Sequence, residues 1–160
     1  MEPMGAASRI HAASWHETHR DATLLAERLV DLGPWQGLVA ISRGGLVPAA
    51  IVARVLSILR IDTICISSYD GRVKGRVDVI KPAPETIGDG TGWLMIDDLV
   101  DSGATAETAR AMLPGAHFAT LYAKPAGRHL VNTFVRHVDQ DMWIDFPWDR
   151  EPAPVDAAAL

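Results

Sequence analysis

Three acids, Asp97, Asp98 and Asp101, lead directly into Ser102, Gly103, Ala104 and Thr105, and this stretch concentrates chemistry in the chain. The apolar run Trp93-Leu94-Met95-Ile96 reads as a buried strand that the two adjacent acids bring to an end. Residues 106–113 read as a helix. The order is therefore strand, acidic edge, small-residue loop and helix N-terminus. Such a loop points several backbone N–H groups at one place, and the helix dipole adds positive potential there, so the stretch suits a phosphate. Carboxylates beside a phosphate repel it unless a cation or sugar hydroxyls lie between them. The chemistry implied is an anionic, sugar-bearing ligand with a divalent metal. Ser102 as an ordinary helix N-cap is the structural alternative, and on spacing alone the two are comparable.

These groups need a frame. Residues 15–32 have an amphipathic helical pattern, with Ala22, Leu25, Leu29 and Leu32 on one face and Gly33-Pro34 as the stop. Residues 37–42 form an apolar run of strand length. Arg43-Gly44-Gly45 follows, then a helix with Pro48 in its first turn, reaching about Leu59. The glycine pair alone reads as a tight turn; with Arg43 at the strand end, an anion site is at least as good a reading. Residues 63–67 are a β-branched strand and residues 118–123 another, ending at Lys124-Pro125. Residues 131–138 are expected as a further strand, with 142–144 running on from it. Strands alternating with helices predict an α/β domain whose parallel sheet has helices on both faces, with ligands beyond the carboxyl ends of the strands. Arg43, Asp97, Asp98 and Lys124 all fall at predicted strand ends.

Residues 68–91 change character, carrying Arg72, Lys74, Arg76 and Lys81 and then prolines and glycines. They read as a solvated hairpin or as a basic lid over an anionic substrate. Residues 1–14 show no periodicity, and 150–160 read as a tail. His16-Glu17-Thr18-His19 is one residue short of placing its histidines a turn apart, so it reads as a solvated helix start. The 160 residues, 48% of them hydrophobic, fit one domain with a sizeable core. A net charge of −5 argues against nucleic-acid binding. No apolar run has the length of a membrane span, and no secretory pattern opens the chain. The lone Cys65 lies in an apolar run and is expected as a buried free thiol in a reducing compartment. The cytoplasm is the expected location, with peripheral membrane association left open.

Ile96-Asp97-Asp98-Leu99-Val100-Asp101-Ser102-Gly103-Ala104-Thr105 resembles the phosphoribosyl-pyrophosphate (PRPP) signature of the type I purine phosphoribosyltransferases. The resemblance extends to Ala40-Ile41-Ser42-Arg43-Gly44-Gly45-Leu46-Val47-Pro48, Thr63-Ile64-Cys65-Ile66-Ser67-Ser68-Tyr69-Asp70, Ala123-Lys124-Pro125-Ala126-Gly127-Arg128 and Trp143-Ile144-Asp145-Phe146-Pro147-Trp148-Asp149. These blocks keep the family's order over residues 15–149, which makes the match specific.

The resemblance implies the type I fold: a mainly parallel central sheet with helices on both faces and a flexible hood loop, here residues 68–91. It implies transfer of phosphoribose from PRPP to guanine or xanthine, with hypoxanthine as a further acceptor, and Mg²⁺ as cofactor. It places Asp101–Thr105 around the 5′-phosphate, with Leu99 and Val100 in the same PRPP stretch. Asp97 and Asp98 meet the ribose hydroxyls and metal, Asp98 being the metal ligand. Arg43 and Gly44 form the pyrophosphate loop, with Arg76 the preferred lid contact. Asp101 lies beside the purine's five-membered ring. Lys124 donates to the 6-oxo group, Trp143 stacks, and the Ile144 carbonyl accepts the exocyclic amine. From the residues alone, Trp143 reads equally as core and Lys124 as a surface lysine. The family pattern usually has Thr at the position of Ser102 and Gly at that of Ala104; the latter matters if the position needs positive φ. Relatives form homodimers or homotetramers. A phosphoribosyltransferase for another base, or a non-catalytic sensor of PRPP or nucleotide, are the alternatives; sensors of this fold typically carry an added DNA-binding module.

Overall fold

The computed structural model of the chain describes residues 9–68 and 77–150. Six strands form the main sheet in the order β4-β3-β2-β5-β6-β7. They are β2 (Gly37–Ser42), β3 (Ile61–Ser68), β4 (Val77–Lys81), β5 (Trp93–Val100), β6 (His117–Ala123) and β7 (Thr133–His137). All neighbours pair parallel except β3 with β4. Three helices, α1 (Trp15–Leu29), α2 (Leu46–Val55) and α3 (Ala104–Met112), cover the sheet.

Alternation along the strands builds two cores. On β2, Leu38 and Ala40 join Leu25, Leu29, Ala49 and Val52 from α1 and α2. Val39 and Ile41 join Ala106 and Ala109 from α3 on the other face. This is the period-two geometry of a strand buried on both sides. The expected α/β architecture with helices on both faces is present.

Helix α1 begins where Ser14 accepts the backbone N–H of Glu17 at 3.0 Å. It ends in a 3₁₀ turn, Val30–Leu32, that turns Leu32 out to solvent instead of into the core. A buried carboxylate ties this helix to the sheet. Asp21 accepts from the Tyr122 hydroxyl at 3.0 Å and from Arg136 Nε at 2.8 Å and Nη2 at 3.0 Å. Burial alone would raise its proton affinity; the bonds from Arg136 and Tyr122 outweigh it and hold the carboxyl below its ordinary range.

Several local expectations differ from what is observed. Strand β5 does not stop at the acids but runs through Asp97 and Asp98 to Val100. Pairing explains this: β2 leaves after Ala40↔Ile96, but β6 stays alongside through Asp97↔Thr120, Leu99↔Tyr122 and Val100↔Ala123. Helix α2 ends at Val55, short of Leu59. Residues 9–12, read as structureless, form strand β1 (Arg9–Ala12). Residues 142–144 do not continue β7: strand β8 (Met142–Asp145) pairs in parallel with β1 in a separate two-stranded sheet. A four-residue strand has too short a pattern to declare itself in sequence. Within the stretch read as irregular, β4 adds an antiparallel edge and Glu85–Ile87 makes a 3₁₀ turn. Residues 69–76 lie outside the described residues, and with them Arg72, Lys74 and Arg76. Cys65 is half-buried, not fully buried. Among the described residues, no helix is long and apolar enough to cross a membrane.

Candidate active site

The carboxyl end of β5 opens into a cavity of about 510 Å³. Its walls include Asp97–Thr105 from β5, the following turn and the first residues of α3, together with Lys124, Trp143 and Ile144. Residues far apart in the chain thus meet at one place, beyond the strand ends as the parallel sheet requires.

The loop is shorter than the sequence suggests, because α3 starts at Ala104. Its N-cap is Gly103 at φ 97°, in the left-handed region, and no side chain caps the helix. Ser102 is therefore not the N-cap; its hydroxyl lies 3.5 Å from the Ala104 N–H. Positive φ falls on Gly103, not Ala104, so the alanine sits in ordinary helical backbone. A bare helix start facing a cavity leaves first-turn N–H groups for an anion.

The paired acids are held at this rim. The Asp98 N–H donates to Asp97 Oδ1 at 2.9 Å. Trp148 Nε1 donates to Asp98 Oδ2 at 3.3 Å. Burial, then repulsion from Asp98, holds the Asp97 carboxyl well above the usual carboxylate range. Burial pushes Asp98 up to about 6, with repulsion from Asp149 adding to the rise and bonds from Asp97 and Trp148 opposing it. Two buried carboxylates of this kind are disfavoured as bare anions, and a proton or a bound cation relieves that cost. Among the described residues no three His, Cys, Asp or Glu side chains cluster as a metal cage. An ion here would have to take further oxygens from a ligand and from water.

Arg43 and Gly44 do not line the cavity; they stand beside it. A Cβ on Gly44 would come within 2.6 Å of Asp98 Oδ2, and one on Gly45 within 2.3 Å of the Ile96 carbonyl oxygen. Backbone atoms thus demand glycine at 45, where the β2–α2 turn crosses the acidic end of β5, whereas at 44 the neighbour is the Asp98 side chain. The positive charge of Arg43 is felt at Asp149, opposing the rise in that group's proton affinity caused by burial. Arg43 is exposed.

On the opposite side, Lys124 is only 4% exposed and is not a surface lysine. Its backbone N–H donates to Val100 O at 2.9 Å, locking the end of β6 to the end of β5. Its Nζ lies 3.0 Å from Asp101 Oδ2. Trp143 is 58% exposed, so it is a free aromatic face and not core, while the Ile144 side chain is buried. Both come from β8, whose partner β1 was not visible in the sequence. Two residues went unassigned. Trp148, stacked on Phe146 at 4.8 Å, reaches Asp98; it stands in the Trp143–Asp149 block, which signalled it. Gln140 donates to Asp101 Oδ1 at 2.8 Å, and lies just outside every motif.

Comparison with known proteins agrees with this geometry. Residues 13–155 match the phosphoribosyl transferase domain. A xanthine-guanine phosphoribosyltransferase of Desulfotalea psychrophila is 58% identical over 144 residues, covering 89% of this chain and 88% of that protein. One from Nitratidesulfovibrio vulgaris strain DP4 is 54% identical over 143 residues, covering 89% and 86%. The crystal structure of a purine phosphoribosyltransferase from Pyrococcus horikoshii superposes with a TM-score of 0.74 at 26% identity, covering 92% of this chain and 98% of that one. A shared fold, a cavity at the expected strand ends and close relatives along most of its length lead to one conclusion: the chain belongs to the phosphoribosyl transferase domain family.

Proposed function

We propose that the chain is a purine-salvage enzyme that transfers the 5-phosphoribosyl group of PRPP to N9 of guanine or xanthine, with hypoxanthine as a further acceptor. The products are GMP, XMP or IMP and pyrophosphate. The observation that carries this reading is that the acidic pair, the bare helix start and the Lys124–Trp143–Ile144 set line one cavity. The names of the near relatives support the choice of acceptor.

In this reading the first turn of α3, with Ser102 and Thr105, holds the 5′-phosphate. Asp97 and Asp98 orient the ribose hydroxyls. The bond from C1 to pyrophosphate breaks, the leaving group takes the electron pair, and N9 bonds to C1 through an oxocarbenium-like transition state. Arg43 and the Gly44 backbone receive pyrophosphate, with Arg76 as the proposed contact from the segment 69–76. Asp101 takes part in moving the proton that the purine gives up, help typically worth ~10²–10⁴-fold. Lys124 donates a hydrogen bond to the 6-oxo group; an amino group in that place cannot accept one. Trp143 stacks on the purine and the Ile144 carbonyl receives the exocyclic amine. Mg²⁺ fits the crowded acids: Asp98, with Asp97 directly or through water, would hold it, and when bound it would offset negative charge on the departing pyrophosphate. The chain is read as one phosphoribosyltransferase domain of a cytoplasmic homodimer or homotetramer.

The test is a four-base assay with PRPP and Mg²⁺ against guanine, xanthine, hypoxanthine and adenine. Nucleotide from the oxopurines but not adenine, abolished by chelator, is expected. No nucleotide from any base, with PRPP still bound, would overturn the reading in favour of a sensor or another acceptor.

A further inference from the structure

Asp101 has two carboxylate oxygens, and each already has a donor. Lys124 Nζ lies 3.0 Å from Oδ2, and Gln140 Nε2 donates to Oδ1 at 2.8 Å. The orientation of the Gln140 amide is forced: a carboxylate only accepts and a backbone N–H only donates, so the amide nitrogen must face Asp101 and its oxygen Ala126. That oxygen takes the Ala126 N–H at 2.9 Å. The residues on either side of Gln140 are themselves held. Arg9 Nη2 reaches Asp139 Oδ2 at 2.7 Å and Asp141 Oδ1 at 2.8 Å. A glutamine in a turn, seated on backbone and flanked by two ion pairs, is built to aim its amide at one target.

We propose that Gln140 is a positioning residue that keeps Asp101 aligned when Lys124 turns its ammonium toward the purine oxygen. This rests on the phosphoribosyltransferase reading above. Lys124 has one ammonium to divide between Asp101 and the base. Without a second donor, Asp101, whose side chain is 48% exposed, would lose its constraint at the moment it must face the purine's five-membered ring. Gln140 has no such competing demand, so its bond persists through binding.

Two variants separate this role from simple support of the 126 loop. Gln140→Ala removes both bonds. Gln140→Glu keeps an acceptor for the Ala126 N–H but replaces the donor to Asp101 with a carboxylate, in surroundings whose charges are Lys124, Arg9, Asp139, Asp141 and Asp101 itself. Both should lower kcat/KM for guanine by about tenfold, the worth of one charge-assisted hydrogen bond. Gln140→Glu should be at least as impaired, and the KM for PRPP should be unchanged in both. In an Asp101→Ala background, adding Gln140→Ala should cost less than about twofold, since the group it acts through is gone. Wild-type-like Gln140→Glu beside an impaired Gln140→Ala would reduce Gln140 to a loop support and overturn the proposal. So would wild-type rates in both variants, or losses that multiply with Asp101→Ala. Turnover by the unaltered chain is measured first: its absence overturns the enzymatic reading, whereas its presence with any of those three patterns overturns only the role of Gln140.

Discussion

The two sides of the cavity are built differently. The acidic side, proposed to hold the phosphate, is one unbroken stretch, β5 into the first turn of α3, and β5 lies inside the sheet between β2 and β6. Its geometry comes from main-chain pairing and from glycines that let the β2–α2 turn pass close. The side proposed to hold the base gathers Lys124 from the end of β6, Gln140 from a turn, and Trp143 and Ile144 from β8 in a second small sheet. Its backbone support is the short β1–β8 ladder and the Lys124 N–H on Val100 O, and side-chain bonds do the rest: Lys124 and Gln140 to Asp101, and Arg9 to Asp139 and Asp141. A side supported by backbone should fail by losing stability, and a side supported by side chains should fail by losing selectivity.

The sharpest way to break that contrast lies within the β2–α2 turn. Gly45→Ala would drive a Cβ to 2.3 Å from the Ile96 carbonyl oxygen and 2.8 Å from that of Ile41, both backbone atoms. A loss of about 1–3 kcal/mol or more is expected in denaturant melts. Gly44→Ala meets a movable side chain, Asp98, so it should leave the melt nearly unchanged while raising the KM for PRPP. Equal destabilisation by both would erase the distinction between backbone and side-chain neighbours.

Lys124→Ala probes the other side. It removes the donor proposed to favour an oxo group over an amino group. Selectivity for guanine over adenine, taken as the ratio of kcat/KM values, should fall about 10–100-fold. A uniform loss with every base would make Lys124 a structural lysine.

Asp98→Asn should show that the acidic side is stable in spite of its charges. The Asp98 carboxyl is pushed up to about 6 from an ordinary 3.8, so the folded state binds its proton more tightly than the unfolded state. Stability from this group is therefore full below about pH 3.8, declines as pH rises toward 6, and stays low above that. In chelator, the Asn variant should exceed the parent by on the order of 1–2 kcal/mol at pH 7.5 and match it near pH 3.5. Its Mg²⁺ requirement for turnover should rise. An Asn variant less stable at pH 7.5 would show that the bonds from Trp148 and Asp97 outweigh the burial of the charge.

The smallest effect is expected from Arg9→Ala. Its ion pairs are exposed and screened, so melting should barely move. The KM for guanine should rise a few-fold while that for PRPP stays put. A rise in the KM for PRPP instead would mean that the small β1–β8 sheet supports the whole cavity and not only its base side.

The sequence by itself determined the sheet's central strands, the helices on both faces and the acid–loop–helix unit. In each of these the signal is local: apolar runs of strand length, a 3.6-residue apolar period, and acids adjacent in the chain. It also placed Gly44 and Gly45 as a pair, though not the reason for them, which is the approach of Asp98 and the Ile96 carbonyl from another strand. Only the tertiary structure decided that β5 continues through the acids, because β6 supplies its ladder there. Only it showed that β1 exists, since four residues hold too little periodicity and its partner lies at Met142–Asp145. It settled the choice for Trp143 and Lys124, exposed aromatic and buried cation, because burial is a property of what other segments cover. Gln140 carries no motif at all: its meaning comes from a hydrogen bond to a residue far back in the chain, and such a bond is decided by packing.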